Sequence, residues 1–176
     1  MEEEKVVLVD QDDQPIGSIG KIEAHKKALL HRAFSIFVMN SKNELLIQQR
    51  AFGKYHSPGL WTNTCCSHQR EGESNIEAGK RRLMEEMGMS VPLDELFTFI
   101  YKASFDNGLT EHELDHVMVG FSEEDPKINT NEVAAFKWIH IDDVKEDLEN
   151  NPKNYTVWFA IIFNRFYQYI HKIVNQ

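Results

Sequence analysis

Between Ser74 and Gly88 the sequence admits little but helix, and what that helix carries restricts the fold more than any other stretch. Ser74 can accept from the backbone three residues on, Glu77 can return the bond, and Gly88 follows the last periodic residue as a stop. The helix closes a longer run, Trp61–Met89, WTNTCCSHQREGESNIEAGKRRLMEEMGM. That run opens on a β-prone segment holding Cys65, Cys66 and His68 and crosses a polar turn at Gln69–Gly72. Arg81 with Glu85, and Arg82 with Glu86, are i,i+4 pairs, so Arg82, Glu85 and Glu86 stand close enough to address one ligand. Taken alone, such a face is equally a solvated stripe of ion pairs worth about 0.2–0.5 kcal/mol each.

Strands and short helices are expected around it. Val6–Val9 is a strand ended by the acidic turn Asp10–Asp13, and Pro15–Ile19 leads into a helical Lys21–Leu29 that holds His25. His31 and Arg32 precede AFSIFVM, a continuous apolar run that reads as a buried strand, and ELLIQQR returns from the turn Ser41–Asn43. Ala51–Gly59 is a loop by its Gly, Ser and Pro content, with Arg50 and Lys54 at its mouth. Beyond Pro92, Leu96–Phe105 is a strand with Tyr101 in it. Thr110–Phe121 is another, whose alternation puts Glu111, Glu113 and Asp115 on one face and His112, Leu114 and His116 on the other. After a charged connection, EVAAFKWIHI gives a strand and Asp142–Asn150 an acidic helix. In Tyr155–Val174 the residues Val157, Trp158, Ile161, Ile162, Phe166, Tyr169, Ile170 and Ile173 recur at helical spacing.

The whole chain, residues 1–176, reads as one domain, without repeat, low-complexity tract or Pro/Gly-rich linker. A net charge of −9 argues against a nucleic-acid partner, while leaving room for a local basic pocket that takes one small diphosphate. Met1–Lys5, MEEEK, is the opposite of a basic leader, and no apolar run approaches the ~20 residues of a membrane span. Two adjacent cysteines make no disulfide framework, and a reducing cytoplasm is the simplest compartment for them.

The register of the helix resembles the signature of the Nudix superfamily, Gly-x5-Glu-x7-Arg-Glu-U-x-Glu-Glu-x-Gly-U, with U bulky and apolar. Aligned on Gly88, the pattern places Glu73, Arg81, Leu83, Glu85, Glu86 and Met89 at matching positions. Two positions depart: Ser67 stands for the first glycine, and Arg82 for a glutamate that a pyrophosphohydrolase uses for its magnesium. A guanidinium in place of a carboxylate weakens a divalent-cation site and improves an anion site.

Those departures, read with WTNTCCSH, are similar to the type I isopentenyl-diphosphate isomerases, an offshoot of the Nudix fold. The resemblance implies an α/β fold, a mixed sheet between helices with an N-terminal extension and a C-terminal helix. It implies reversible 1,3-allylic isomerisation of isopentenyl diphosphate to dimethylallyl diphosphate through a tertiary carbocation, with an isoprenyl diphosphate as the small-molecule partner. Cys66 and Glu113 match the family's proton-transfer pair, with either of the two as forward donor, Tyr101 serves proton traffic beside Glu113, and Trp158 walls the active site. His25, His31, His68, Glu111 and Glu113 match the metal site, and their mixed N/O donors suit Zn2+, Mn2+ or Fe2+ better than Ca2+. Glu86, with a backbone oxygen near Cys66, would hold Mg2+ against the diphosphate, which Lys21, Arg50, Lys54 and Arg82 would grip. A Nudix pyrophosphohydrolase and a non-catalytic metal- or ligand-binding Nudix module are the alternatives.

Overall fold

The computed structural model describes residues 2–174; Met1 and the side chain of Ile173, both named above, lie outside the described residues. A hairpin of β1 (Lys5–Val9) and β2 (Pro15–Gly20) comes first. Its turn is fixed locally: Asp10 Oδ1 accepts from the amides of Asp12 (2.9 Å) and Gln14 (3.0 Å), and Asp13 takes a left-handed φ of 61°. There follow α1 (Lys21–Lys27), β3 (His31–Met39), β4 (Glu44–Arg50), the short strands β5 (Trp61–Thr62) and β6 (Cys65–Ser67), and α2 (Asn75–Met87). The chain continues through β7 (Asp94–Ser104), β8 (Thr110–Phe121), β9 (Val133–His140), α3 (Ile141–Asn150), a 3-10 turn at Pro152–Asn154, and α4 (Val157–Val174).

Strand β3 is the axis of the sheet. β8 runs parallel along the whole of one edge, from His31 opposite Glu113 to Met39 opposite Phe121. The other edge is shared in succession by β1 at His31, β6 at Phe34–Ile36 and β4 at Met39. β4 leaves β3 after that single contact and pairs antiparallel with β9 and β5, while β7 pairs antiparallel with β8. The sheet is therefore mixed.

Side-chain parity divides the core. Phe37, Met39, Leu45, Ile47, Val117 and Val119 point toward α3 and α4, where they meet Val144, Leu148, Phe159, Ile162, Phe163 and Phe166. Phe34, Ile36, Val38, Leu46 and Met118 point the other way, onto Ala78, Leu83 and Met87 of α2. Each large side chain so buried contributes about 1.5–3 kcal/mol, which fixes the register, since a one-residue slip would exchange the two faces. The sheet thus lies between helices, as the resemblance implied.

Helix α2 has the reciprocal Ser74/Glu77 capping box, and Gly88 ends it at a left-handed φ of 60°. A Cβ at Gly88 would stand 2.5 Å from the Lys127 carbonyl oxygen, and one at Gly79 would stand 2.8 Å from Met118 Cε, so neither position takes a side chain without movement. Several boundaries differ from the expected ones, among them the end of α1, at Lys27 rather than Leu29, where Ala28 turns left-handed at a φ of 54°. β7 starts at Asp94 rather than Leu96, because its ladder with β8 reaches back to Val119. α4 starts at Val157 rather than Tyr155, because Tyr155 bridges to Trp61 and the Thr156 amide donates to the Trp61 carbonyl at 3.0 Å. Among the described residues no helix is long and apolar enough to cross a membrane.

Candidate active site

A cleft of about 950 Å³ opens over the sheet face that carries the odd-numbered residues of β3 and β8. Strand pairing sets its floor: His31 lies opposite Glu113, Tyr101 opposite Glu113, and Ser35 opposite Cys66. Because adjacent strand residues point to opposite faces, Cys66 looks into the cleft while Cys65 is buried among Leu46, Phe34 and the α2 side chains. The segment after β6 contributes His68, α2 Arg82 and Glu86, and α4 Trp158, while His25 of α1 is buried beneath, its ring centre 6.0 Å from that of His68.

His25, His31, His68 and Glu113 each bring one donor atom to within 4.8 Å of the others. The His31 ring is oriented by Nδ1, which donates to the Leu29 carbonyl at 2.8 Å and leaves Nε2 to face the cluster. That nitrogen lies 3.5 Å from Glu113 Oε1. His25 Nε2, His31 Nε2 and His68 Nδ1 are buried without partners. Burial, then the neighbouring His68 and His31, push His25 down to about 3, and burial lowers His68 as well, so these imidazoles are neutral. Burial would raise Glu113, but its contacts with His31 and His68 outweigh it and hold the carboxyl well below its usual range. Buried imidazole nitrogens without partners and an ionised carboxylate, with one donor atom of each residue gathered within 4.8 Å, fit a divalent cation.

Glu111 stands outside that group of four. Tyr101 Oη lies 2.9 Å from Glu111 Oε2 and 2.8 Å from Glu113 Oε2, and the other Glu111 oxygen lies 3.8 Å from His56 Nε2. A phenol has one proton to give, and two short contacts are satisfied together when Glu111 carries a second. Burial and the charge of Glu113 raise Glu111 well above the carboxylate range, in keeping with that arrangement.

Cys66 Sγ donates to Asn63 Oδ1 at 2.9 Å and lies 3.4 Å from Ser35 Oγ. Burial, reinforced by Asp115, raises the thiol well above its ordinary value. Trp158 is 3% exposed and lines the cleft, edge-on to His56 (5.4 Å, 88°) and Phe105 (6.0 Å, 86°), with the Arg50 guanidinium 5.2 Å from its ring centre. Wall and core, which compete as readings of Trp158 in the sequence, coincide here.

Lys21, Arg50, Lys54 and Arg82 all line the cleft, and three of the four hold carboxylates. Lys21 pairs with Glu4 at 3.2 Å, Lys54 with Glu132, and Arg82 with Glu85 and Glu86, both at 2.6 Å. Glu86 is buried and also accepts from Gln48 Nε2 at 3.1 Å. Arg81, by contrast, turns to Glu73 (2.7 and 3.0 Å) and to the His68 carbonyl (3.3 Å), anchoring the loop that presents His68. His112 and His116 lie off the site, His112 against the Ala28 carbonyl and His116 against Asp13 and Asn75.

Sequence reading passed over Ser35, Gln48, His56, Asn63 and Glu132. Ser35 carries a signal, since it lies two turns of the strand alternation from His31; His56, in a loop of turn-forming residues, carries none.

Residues 29–159 match the NUDIX domain family model. The chain is 51% identical to isopentenyl-diphosphate Delta-isomerase 2 of Photorhabdus laumondii subsp. laumondii over 92% of each chain. It is 47% identical to isopentenyl-diphosphate Delta-isomerase of Pectobacterium atrosepticum over 94% of this chain and 92% of that one. Among solved structures it is similar to DR0079 from Deinococcus radiodurans, with a TM-score of 0.77 at 20% identity over 92% of this chain and 98% of the other. MutT protein from Methanosarcina mazei Go1 gives 0.64 at 18% identity over 79% and 94%. At those identities the solved structures speak to fold alone.

Proposed function

The chain belongs to the Nudix superfamily and, within it, to the isopentenyl-diphosphate Delta-isomerases, and on that footing we propose how its own residues carry the interconversion of isopentenyl and dimethylallyl diphosphate. The observation that carries the proposal is that one cleft is lined by Cys66, Glu113, Tyr101 and Trp158 together with Lys21, Arg50, Lys54 and Arg82. The reaction must protonate an unactivated alkene and remove a different proton from the resulting tertiary cation. Cys66 and Glu113 are the two proton-transfer groups, with Tyr101 relaying between Glu113 and Glu111. Buried walls keep water from the cation, and Trp158 offers it a π face worth ~2 kcal/mol when desolvated.

The enzyme is metal-dependent as its family is. His25, His31, His68 and Glu113 would hold the divalent ion, with Glu111 adjoining. Three imidazoles and a carboxylate suit Zn2+, Mn2+ or Fe2+. Such an ion supplies positive charge that keeps Glu113 ionised and fixed in direction. Substrate would enter with Mg2+ on its diphosphate, which Glu86 would help to hold, while Lys21, Lys54 and Arg82 would exchange their carboxylate partners for phosphate oxygens and Arg50 would join them. Arg82 counts against the hydrolase, since a guanidinium lies in the cleft where the Nudix signature has a glutamate for hydrolytic magnesium.

Incubation with isopentenyl diphosphate and Mg2+ in D2O tests the reading. Deuterated dimethylallyl diphosphate is the expected product, and release of phosphate without isomerisation would overturn it.

A further inference from the structure

The Cys66 thiol sits in a hydrogen-bonded cradle between Asn63, buried behind the cleft, and Ser35, which lines it. Asn63, fully buried, spends both Nδ2 protons on backbone carbonyls, those of Ile36 and Cys65, each at 3.0 Å. Its amide therefore cannot flip, and only Oδ1 can face the sulfur. Oδ1 also receives the Thr62 hydroxyl at 3.0 Å, and Thr62 Oγ1 receives that of Thr156 at 3.2 Å, so the row of donors runs in one sense up to Asn63. On the other side Ser35 gives its single proton to Asp115 Oδ2 at 2.9 Å, leaving lone pairs toward Cys66 at 3.4 Å. Asp115 is completely buried, and its Oδ1 has no partner.

Both neighbours of the sulfur thus accept, an arrangement that suits a thiol and leaves a thiolate without a donor. Proton transfer at this position requires the sulfur to pass through both forms. When the thiol gives its proton to the alkene, the π pair forms the new C–H bond and the S–H pair stays on sulfur. When sulfur takes a proton from the cation, the C–H pair becomes the new double bond. A rotation of the Ser35 hydroxyl from Asp115 to Sγ supplies the missing donor without moving a heavy atom.

Resting on the assignment of Cys66 above, we propose that Asn63 and Ser35 are positioning residues for its thiol, Asn63 holding the S–H form and the Ser35 hydroxyl, parked on Asp115, turning to the sulfur when the proton has gone. In infrared spectra, Asn63→Leu should move the S–H stretching band, identified by its loss in Cys66→Ala, to higher frequency. Ser35→Ala should lower kcat by about tenfold or more, below the 10²–10⁴ of a direct acid–base group. Its KM and metal content should stay within twofold of the unmodified enzyme, and Ser35→Thr, which keeps the hydroxyl, should recover most of the loss. Should Asn63→Leu fail to fold, the Ser35 pair decides. A Ser35→Ala enzyme with unchanged kcat, or one that loses metal and substrate affinity in step with kcat, would overturn the proposal. Normal turnover by Cys66→Ala would instead remove Cys66 from the reaction, while the infrared shift still reports on the hydrogen bond.

Discussion

Cys66 and Cys65 share a peptide bond yet lie on opposite faces of β6, and parity turns Cys66 alone toward the cleft. Cys66→Ala and Glu113→Gln should each lower kcat by about 10²–10⁴-fold in the isomerase assay, since a dry pocket offers a cation-forming step no substitute proton carrier. Trp158→Phe should cost about tenfold, because a phenyl ring retains part of the cation–π attraction. Arg50→Ala and Lys54→Ala should chiefly raise KM, the diphosphate charge being the same in ground and transition states. Metal analysis separates the histidines: His68→Ala should lower metal affinity by at least about 10–100-fold, whereas His116→Ala, on the opposite face, should leave it unchanged. Much of this site was legible one residue at a time, because strand alternation alone orders Glu111, Glu113 and Asp115 on one face. What escaped were groups that matter only through another side chain. Asn63 and Gln48 act on Cys66 and Glu86, and nothing along the chain reveals that contact.

Helix α2 was legible from end to end because its signals are local: a Ser74 cap with Glu77 three residues on, and a glycine stop. Ser74→Ala should cost about 1 kcal/mol, read as a lowered melting temperature. The loop before the helix is tied in by Arg81 and Glu73, and the Arg81 hydrogen bonds hold the Glu73 carboxyl below its ordinary 4.5. A depressed folded-state value means that the pair stabilises above the unfolded value and is lost as pH falls through the folded one. Arg81→Ala should therefore melt about 2–4 °C lower than the unmodified protein at about pH 7, the effect of roughly 1 kcal/mol in a chain of this size. That gap should close as the pH falls below the ordinary carboxylate range and through the lowered Glu73 value. A gap independent of pH would show that Arg81 acts through packing instead. Elements made by distant partners were harder to read. Tyr155 and Thr156 look helical in sequence, but their backbone is held by Trp61, far back in the chain.

At the scale of the molecule, the four groups that converge on the metal position come from α1, β3, the segment after β6, and β8. A bound ion therefore ties together segments that no covalent bond connects. Removing it with a chelator should lower the melting temperature by about 5–10 °C, the consequence of losing an ion held at ~100 times its dissociation constant, about 2.7 kcal/mol. The fold class could be read because strand and helix patterns and the signature helix agree with one another. Strand order could not, since β3 pairs with β8 rather than with its neighbour β4 along most of its length.

That long parallel pairing also dictates an order in time. Ser35 and Asp115, and with them His31 and Glu113, meet only when residues 80 and 82 positions apart have found one another, a loop closure costlier than that of any hairpin in the chain. The β1–β2 hairpin and α2 can form early, but the pocket cannot be present in any intermediate that lacks the β3–β8 ladder. In stopped-flow refolding, metal capture should lag behind the rise of helical signal and coincide with the last, slowest phase, so that the ion reports on completion rather than on nucleation.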